Sequence, residues 1–124
     1  MVVKVVDASA IAALLFGEPE ADTVAERLAE GRLVAPSLLE FELANVCLLK
    51  SRRHPGQQPG LMAAFRLRAR LGVEEIAVDH GGVVGLAAAT GLTAYDASYL
   101  WLARELGAEL VTLDRKLARA AAPA

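Results

Sequence analysis

The chain has 124 residues, of which 55% are hydrophobic and 23% charged, so its length fits one domain and its composition excludes intrinsic disorder. The chain has 13 Lys and Arg residues and 15 Asp and Glu residues, which gives a formal net charge of −2. This charge excludes nucleic-acid binding by bulk positive charge, so a nucleic acid could bind only at a local basic patch. The single cysteine, Cys47, excludes a disulfide framework and a cysteine metal cluster.

The first half of the chain alternates short β-branched runs with helical patterns. The predicted elements are a strand at 2–6, helices at 8–16 and 19–30, a strand at 32–35 and a helix at 37–53. We expect no secretory leader, because Lys4 and Asp7 interrupt the apolar run at the start, and the uncharged run at 81–95 is too short to span a bilayer. We therefore expect a soluble, cytoplasmic protein that makes no membrane contact.

The second half continues the alternation after a segment at 54–60 that is rich in Gly and Pro and is predicted to be a loop. The elements that follow are a helix at 61–71, a strand at 74–78, helices at 79–91 and 93–106, a strand at 109–113, a short helix from 114 and a frayed tail at 120–124. Strands that alternate with helices predict an α/β fold with a parallel sheet covered on both faces.

Acidic residues directly follow three of the predicted strands. They are Asp7, Asp79 and Asp114, and the carboxyl ends of parallel strands are where α/β proteins bind ligands. Each also suits the N-cap of the next helix, because a carboxylate accepts hydrogen bonds from the free N–H groups of the first turn. Asp96 has a similar alternative, since it lies three residues after Thr93, at the spacing of a capping box.

Capping does not explain Glu42. On a helical projection of 38–53 it falls within the apolar arc, whereas Glu40 points to the opposite face and is expected to be solvated. A carboxylate directed into a core is costly unless it is paired, hydrogen-bonded or bound to a metal. Lys50, at the fringe of the same face, is the alternative partner, and Asn45 lies at the edge of the arc one turn along.

These carboxylates could converge on one cleft, where they would repel one another unless a cation is present. Oxygen ligands without Cys and with few His favour Mg²⁺ or Mn²⁺ over Zn²⁺. His54 and His80 have no second histidine at metal-ligand spacing, so we expect neither to take part. Hard metals held by carboxylates, with positions open to phosphate oxygens, are typical of nucleases and phosphoryl-transfer enzymes.

Three ordered blocks cover nearly the whole chain: VVDASAIAALLFGEPEA at 5–21, VAPSLLEFELANVCL at 34–48 and GLTAYDASYLWLARELGAELVTLDRKL at 91–117. Together they resemble PIN-domain ribonucleases, and specifically the VapC-like toxins of type II toxin–antitoxin pairs. The resemblance implies one PIN-like nuclease domain over residues 1–124, folded as a three-layer α/β/α sandwich around a parallel sheet of four or five strands. Asp79 has no counterpart among the family's metal ligands, so its interpretation as a helix cap stands.

The resemblance also implies a mechanism. Asp7, Glu42, Asp96 and Asp114 would bind one or two Mg²⁺ or Mn²⁺ ions, and metal-activated water would cleave an RNA phosphodiester, leaving 5′-phosphate and 3′-hydroxyl ends. Ser9 and Thr112 would hold a ligand carboxylate or water in place, and Asn45 would support Glu42.

Partners follow from the same resemblance. They are an RNA substrate, a VapB-like antitoxin whose C-terminal segment lies near the active site, and a second copy of the chain in a homodimer. Candidate RNA contacts are the basic residues Arg52, Arg53, Arg66 and Arg70. For all four, a solvated helix face is the alternative interpretation.

Two other functions stay open. One is a catalytically inert PIN-like module that binds RNA or protein; the other is an aspartate-based phosphotransfer domain, which also places an Asp after its first strand. Ser9 stands where the dehalogenase type of phosphotransfer domain needs a second Asp, and neither phosphotransfer type accounts for Glu42. Metal-dependent cleavage distinguishes a nuclease from the inert module, and transient aspartyl phosphorylation would indicate the phosphotransfer domain.

Overall fold

Four parallel strands form the central sheet of the computed structural model, which describes residues 2–123. The strands are β1 (Val3–Val6), β2 (Arg32–Ala35), β3 (Glu74–Glu75) and β4 (Glu109–Val111), in the spatial order β3-β2-β1-β4. In the centre of the sheet, Val5 lies opposite Val34 on one side and Leu110 on the other. Val5 and Val6 of β1 and Val34 of β2 are fully buried and β-branched, as expected in a parallel sheet covered on both faces.

Within residues 2–123, seven α-helices pack around the sheet. They are α1 (Ala8–Leu15), α2 (Ala21–Leu28), α3 (Leu38–Arg53), α4 (Gln58–Arg66), α5 (His80–Thr90), α6 (Ala94–Leu106) and α7 (Arg115–Ala121). The chain passes from β1 to β2 to β3 in one direction and then crosses back beyond β1 to β4. Because parallel crossovers are right-handed, α1 to α4 lie on one face, and α5 and α6 lie on the other. The predicted α/β/α sandwich is confirmed.

The crossing direction reverses between β1 and β4, and the carboxyl ends of two such strands leave a crevice between them. The core beneath this crevice is made of fully buried side chains from both helical layers and the sheet, among them Ile11, Leu43, Leu100 and Val111. Each such side chain contributes about 1.5–3 kcal/mol by leaving water. The crevice is therefore supported by a packed, rigid base.

The prediction of a loop at 54–60 is wrong. Residues Pro55–Gln57 form a 3₁₀ turn, and α4 begins at Gln58 with Pro59 in its first turn. Proline is tolerated there because the first N–H groups of a helix have no internal partner. The predicted helix at 61–71 changes type as well, since α4 ends at Arg66 and Leu67–Leu71 form a second 3₁₀ segment.

The predicted apolar face of α3 is rotated relative to the structure. Leu39, Leu43 and Cys47 are the residues of this helix that are buried, although Cys47 lies seven residues after Glu40 and so shares the helix face that was expected to be solvated. The cause is α4, which packs against α3 and brings Met62 against the Cys47 sulfur. Phe41 and Leu48 are exposed as a result.

Smaller corrections concern strand lengths and the C-terminal tail. β3 has two residues rather than five, although the Ile76 N–H still donates to the Ala35 carbonyl at 2.9 Å. In the tail, α7 continues through Ala121, and Ala124 lies outside the described residues. None of the helices within residues 2–123 has the length and apolarity needed to cross a membrane.

Candidate functional site

Asp7 lies at the crevice between β1 and β4. Its backbone N–H donates to the Val111 carbonyl at 3.2 Å, which fixes the residue at the end of both strands. Its side chain caps α1 by accepting from the Ala10 N–H at 3.1 Å. The capping interpretation is thus correct, but it accounts for only one of several hydrogen bonds to this carboxylate.

Two hydroxyl groups hold the buried Asp7 carboxylate. Ser9 Oγ donates to Oδ1 at 2.7 Å, and Thr112 Oγ1 donates to Oδ2. Burial raises the pKa of Asp7, the hydroxyls and the Ala10 N–H oppose that rise, and the negative charge of Asp114 adds to it. Ser9 and Thr112 therefore contact the carboxylate that they were predicted to support.

The same two hydroxyls connect Asp7 to the end of β4. Ser9 Oγ accepts from the Leu113 N–H at 2.9 Å, and Thr112 Oγ1 accepts from the Asp114 N–H at 3.0 Å. Asp114 in turn caps α7 by accepting from the Leu117 N–H at 3.0 Å. The positions of Asp7 and Asp114 are thus set by one hydrogen-bond network.

Glu42 reaches the crevice from α3, and Tyr99 of α6 holds it there. The Tyr99 hydroxyl donates to Glu42 Oε1 at 2.6 Å. Burial raises the pKa of Glu42, Tyr99 opposes the rise, and the charges of Asp96 and Asp7 add to it. The pKa of Tyr99 is raised far above its usual value by burial and by these neighbouring carboxylates, so its hydroxyl keeps its proton and remains a donor.

The surroundings of Glu42 differ in part from these expectations. Among the described residues, Asn45 makes no hydrogen bond to Glu42, and Lys50, the alternative partner of Glu42, pairs with Glu18 at 2.8 Å. The Glu40 side chain, expected to be solvated, is 45% exposed and accepts from Arg68 Nε at 2.6 Å. Glu42 rather than Glu40 is the carboxylate that points inward, as predicted, since Glu40 faces Arg68 in the 3₁₀ segment after α4.

Asp96 lies in the first turn of α6. Thr93 caps this helix by accepting from the Asp96 N–H at 3.1 Å, but within residues 2–123 the Asp96 carboxylate itself accepts no hydrogen bond. The predicted capping box is therefore only half formed. Burial and the charge of Asp114 raise the pKa of Asp96, and Lys116 opposes this rise.

The four candidate ligands form one electrostatic cluster. Asp114 acts on Asp7 and Asp96, while Asp7 and Asp96 both act on Glu42. Each interaction raises a pKa, because a second negative charge in a poorly hydrated crevice is unfavourable. Asp79, by contrast, is exposed and caps α5 through the Gly82 N–H at 3.2 Å.

The donor chemistry of this cluster fits a hard divalent cation, because all four ligand groups are carboxylates. Within residues 2–123, no three His, Cys, Asp or Glu side chains are arranged to hold a metal ion by themselves. Mg²⁺ seldom needs such a cage, since it keeps several waters and takes one or two carboxylates together with substrate phosphates. The crevice therefore suits an open site that water and phosphate complete.

The raised pKa values of Asp7, Glu42 and Asp96 predict how pH affects stability. The native state holds these protons to a higher pH than the unfolded chain, so their stabilising contribution is complete below the ordinary carboxyl pKa near 4 and is lost as pH rises through the raised values. Mn²⁺ should take the place of the protons on these carboxyl groups. At pH 7.5 and a Mn²⁺ concentration one hundred times its Kd, we expect the free energy of unfolding to rise by about 2.7 kcal/mol. At pH 5 we expect a smaller rise, because protons compete with the cation.

Differential scanning calorimetry with and without Mn²⁺ at both pH values measures this difference. Asp79→Asn changes an acidic cap outside the cluster and should leave the Mn²⁺-induced shift intact. Equal shifts at pH 5 and pH 7.5, or no shift at either, would contradict the interpretation.

Tyr99 was missed as a site residue, although it could have been found from the sequence. It lies three residues after Asp96 and so shares a helix face with it, and a buried tyrosine hydroxyl usually has a hydrogen-bond partner. Lys116 was also missed; it lies two residues after Asp114, and its Nζ donates to the Gly91 carbonyl at 3.0 Å.

Replacing Tyr99 tests its role in positioning Glu42. Tyr99→Phe removes the donor to a half-buried carboxylate, which should cost about 1–3 kcal/mol of stability and weaken Mn²⁺ binding about 10- to 100-fold. Tyr95→Phe, on the same helix but exposed, is the matched control and should leave both unchanged. If calorimetric titration gives Tyr99→Phe the same Mn²⁺ affinity as the parent, Tyr99 serves packing alone.

The four arginines predicted to contact RNA are all exposed. Arg52 lies ten residues after Glu42 on α3, which places it about 15 Å further along the helix axis. Arg66 ends α4, and Arg70 lies in the 3₁₀ segment that follows. Within residues 2–123, none of these four arginines forms an ion pair with a carboxylate of the cluster, whereas the positive charge of Lys116 acts on Asp96.

Sequence comparison identifies a known family. The model of the PIN domain family matches residues 4–123. Ribonuclease VapC3 from Pyrobaculum aerophilum is 34% identical over 119 residues, covering 92% of this chain and 91% of that protein. Ribonuclease VapC9 from Mycobacterium tuberculosis is 37% identical over 118 residues, covering 91% and 87%.

Solved structures have the same fold. The crystal structure of PAE2754 from Pyrobaculum aerophilum superposes with a TM-score of 0.77 at 29% identity, covering 96% of this chain and 84% of that one. The crystal structure of Mycobacterium tuberculosis VapC20, described as a toxin that cleaves the sarcin–ricin loop, gives a TM-score of 0.67 at 19% identity, with 94% of each chain covered.

Proposed function

Because this chain belongs to the PIN-domain family and is related to VapC ribonucleases, we propose that it is a metal-dependent endoribonuclease, the toxin of a type II toxin–antitoxin pair. The observation that carries the proposal is the mutual electrostatic action of Asp7, Glu42, Asp96 and Asp114 beside the crevice between β1 and β4. Burial and the neighbouring charges raise the pKa values of Asp7, Glu42 and Asp96, and a cation would stabilise their charged forms.

The proposed mechanism gives each side chain a role. Asp7, Glu42, Asp96 and Asp114 would hold one or two Mg²⁺ or Mn²⁺ ions, which when bound would supply an activated water and neutralise phosphate charge. Ser9 and Thr112 hold the Asp7 carboxylate in one orientation through bonds to its two oxygens. Tyr99 does the same for Glu42, and oriented ligands of this kind are what a metal site needs from its surroundings.

Charge near the crevice supports an anionic substrate once the carboxylates are neutralised. Lys116 lies close enough to Asp96 to oppose the rise in its pKa, so it places one positive charge beside the site. Arg52, Arg53, Arg66 and Arg70 would act further away, on backbone phosphates several nucleotides from the cleavage point. Such contacts add affinity without specifying sequence.

Partners and place of action form part of the proposal. We expect the 1–124 domain to act on RNA in the cytoplasm as a homodimer and to be silenced by a VapB-like antitoxin. An antitoxin arginine would pair with the carboxylates through charge-assisted hydrogen bonds. That contact would compete with the cation for the same oxygens.

Cleavage of labelled total RNA by the purified protein tests the function. We expect defined fragments with 5′-phosphate and 3′-hydroxyl ends in Mn²⁺ and none in EDTA. Retained RNA binding without cleavage would favour the inert module, and incorporation of phosphate from acetyl phosphate into Asp7 would favour the phosphotransfer alternative. Fragments that persist in EDTA would contradict the proposed mechanism.

A further inference from the structure

Two aromatic side chains beside the carboxylate cluster are exposed to solvent. Phe41 of α3 is 83% exposed and Tyr95 of α6 is 68% exposed. Both line one cavity of about 360 Å³, together with Leu38, Glu42 and Asn45. These five residues define what we call the Phe41–Tyr95 pocket.

The pocket is continuous with the cluster. Leu38, Phe41, Glu42 and Asn45 follow one another at intervals of three and four residues, so they form one stripe along α3. Tyr95 forms the facing wall and directly precedes Asp96 in the chain. Glu42 belongs to both, because it lines the pocket and interacts with Asp96 and Asp7.

The lining combines apolar surface with an unused polar group. Within residues 2–123 the exposed Asn45 amide makes no hydrogen bond, so it offers both a donor and an acceptor at the pocket wall. A second cavity of about 300 Å³, lined mainly by apolar residues such as Val83 and Val84, shares Leu38 and Tyr95 with the first. Aromatic side chains and an amide that line the same pocket suit a planar, uncharged group that carries hydrogen-bonding edges.

We propose that the Phe41–Tyr95 pocket binds one unpaired base of the RNA next to the phosphodiester that is cleaved. The inference rests on the proposed nuclease function and deepens it by locating where one unpaired base of the substrate is held. A base inside a duplex is stacked on both faces and paired along one edge, so it must turn outward before its face can lie on an aromatic ring.

Charge favours a base over other parts of the substrate. A phosphate in this pocket would face Glu42 directly, whereas a base is neutral and gains from stacking on any aromatic ring. The phosphate next to that base would then lie toward Asp96 and Asp7, where a cation offsets their charge. The base and the scissile phosphate thus occupy neighbouring sites of opposite chemical character.

Binding of a short single-stranded RNA that carries 2-aminopurine tests the inference without cleavage. In an Asp7→Asn background, which is expected to block cleavage and removes one negative charge from the cluster, we expect the fluorescence of the base to be quenched by stacking. Phe41→Ala and Tyr95→Ala should each weaken binding about 10- to 100-fold and remove the quenching. Phe41→Tyr and Tyr95→Phe keep the aromatic faces and should retain both.

Leu106→Ala is the matched control, because Leu106 is also an exposed apolar residue but lies at the opposite end of α6. Alanine variants that bind and quench like the parent would overturn the inference. It would also be overturned if light scattering shows that they lose affinity only by dissociating a dimer, since the surface would then be an interface between copies.

Failure of the proposed function gives a different result. Suppose that wild-type protein with Mn²⁺ does not cleave RNA although the base is quenched and the alanine variants lose that quenching. In that case the pocket binds a base, and the proposed nuclease function is wrong. If cleavage is observed and neither alanine variant changes binding, only the base pocket is wrong.

Discussion

Glu42→Gln is expected to lower the rate of RNA cleavage about 100- to 1000-fold, because it removes one negative ligand worth several kcal/mol of charge stabilisation. The side chain keeps an oxygen that can accept from the Tyr99 hydroxyl, so the fold should survive. Burial and neighbouring carboxylates disfavour the charged form of Glu42 in the free protein. Metal-free Glu42→Gln should therefore be no less stable than the parent.

Glu40→Gln is the matched control, since Glu40 lies two residues away on the same helix and pairs with Arg68 outside the cluster. It should keep full cleavage and lose at most about 1 kcal/mol of stability. Initial rates on one labelled RNA and thermal unfolding of both variants measure the contrast. Equal activities of the two variants would remove Glu42 from the site.

Asp7→Asn should abolish detectable cleavage while leaving the protein folded. Asparagine is as good an N-cap as aspartate and keeps an acceptor for the Ala10 N–H, but it cannot offer two negative oxygens to a cation. Since burial already disfavours the charged form of Asp7, the metal-free variant should be as stable as the parent or more so. Its thermal shift with Mn²⁺ should disappear.

Asp79→Asn controls for the loss of an acidic cap after a strand. Asp79 caps α5 as Asp7 caps α1, but it is exposed, and the electrostatic cluster does not include it. Cleavage and the Mn²⁺-induced shift should both be preserved. If Asp79→Asn proves as inactive as Asp7→Asn, the role of both residues is helix capping rather than metal binding.

The order of strands and helices could be predicted from the sequence because periodicity and breakers are local signals. The structure of the segment at 54–60 could not be predicted, because its Gly and Pro residues are compatible both with a loop and with the first turn of α4. The buried face of α3 depends on this segment too. Once α4 packs against Cys47, the helix turns Phe41 and Leu48 toward solvent.

The carboxylates of the candidate site were predictable for a related reason. Asp7 and Asp114 follow strands, so topology alone brings them to one edge of the sheet. The groups that hold the carboxylates are set by contacts across the fold, and only some could be foreseen. Tyr99 approaches Glu42 from a helix 57 positions along the chain, where Asn45, one turn away, had been expected.

The central claim is that Asp7, Glu42, Asp96 and Asp114 together hold a divalent cation. Anomalous scattering from a crystal of the protein grown at neutral pH with Mn²⁺ tests it most directly. We predict a strong peak in the crevice between β1 and β4, bounded by these carboxylates and lost in an isomorphous Asp7→Asn crystal. A fully loaded crystal with its peaks elsewhere, or with none in the crevice, would contradict the account.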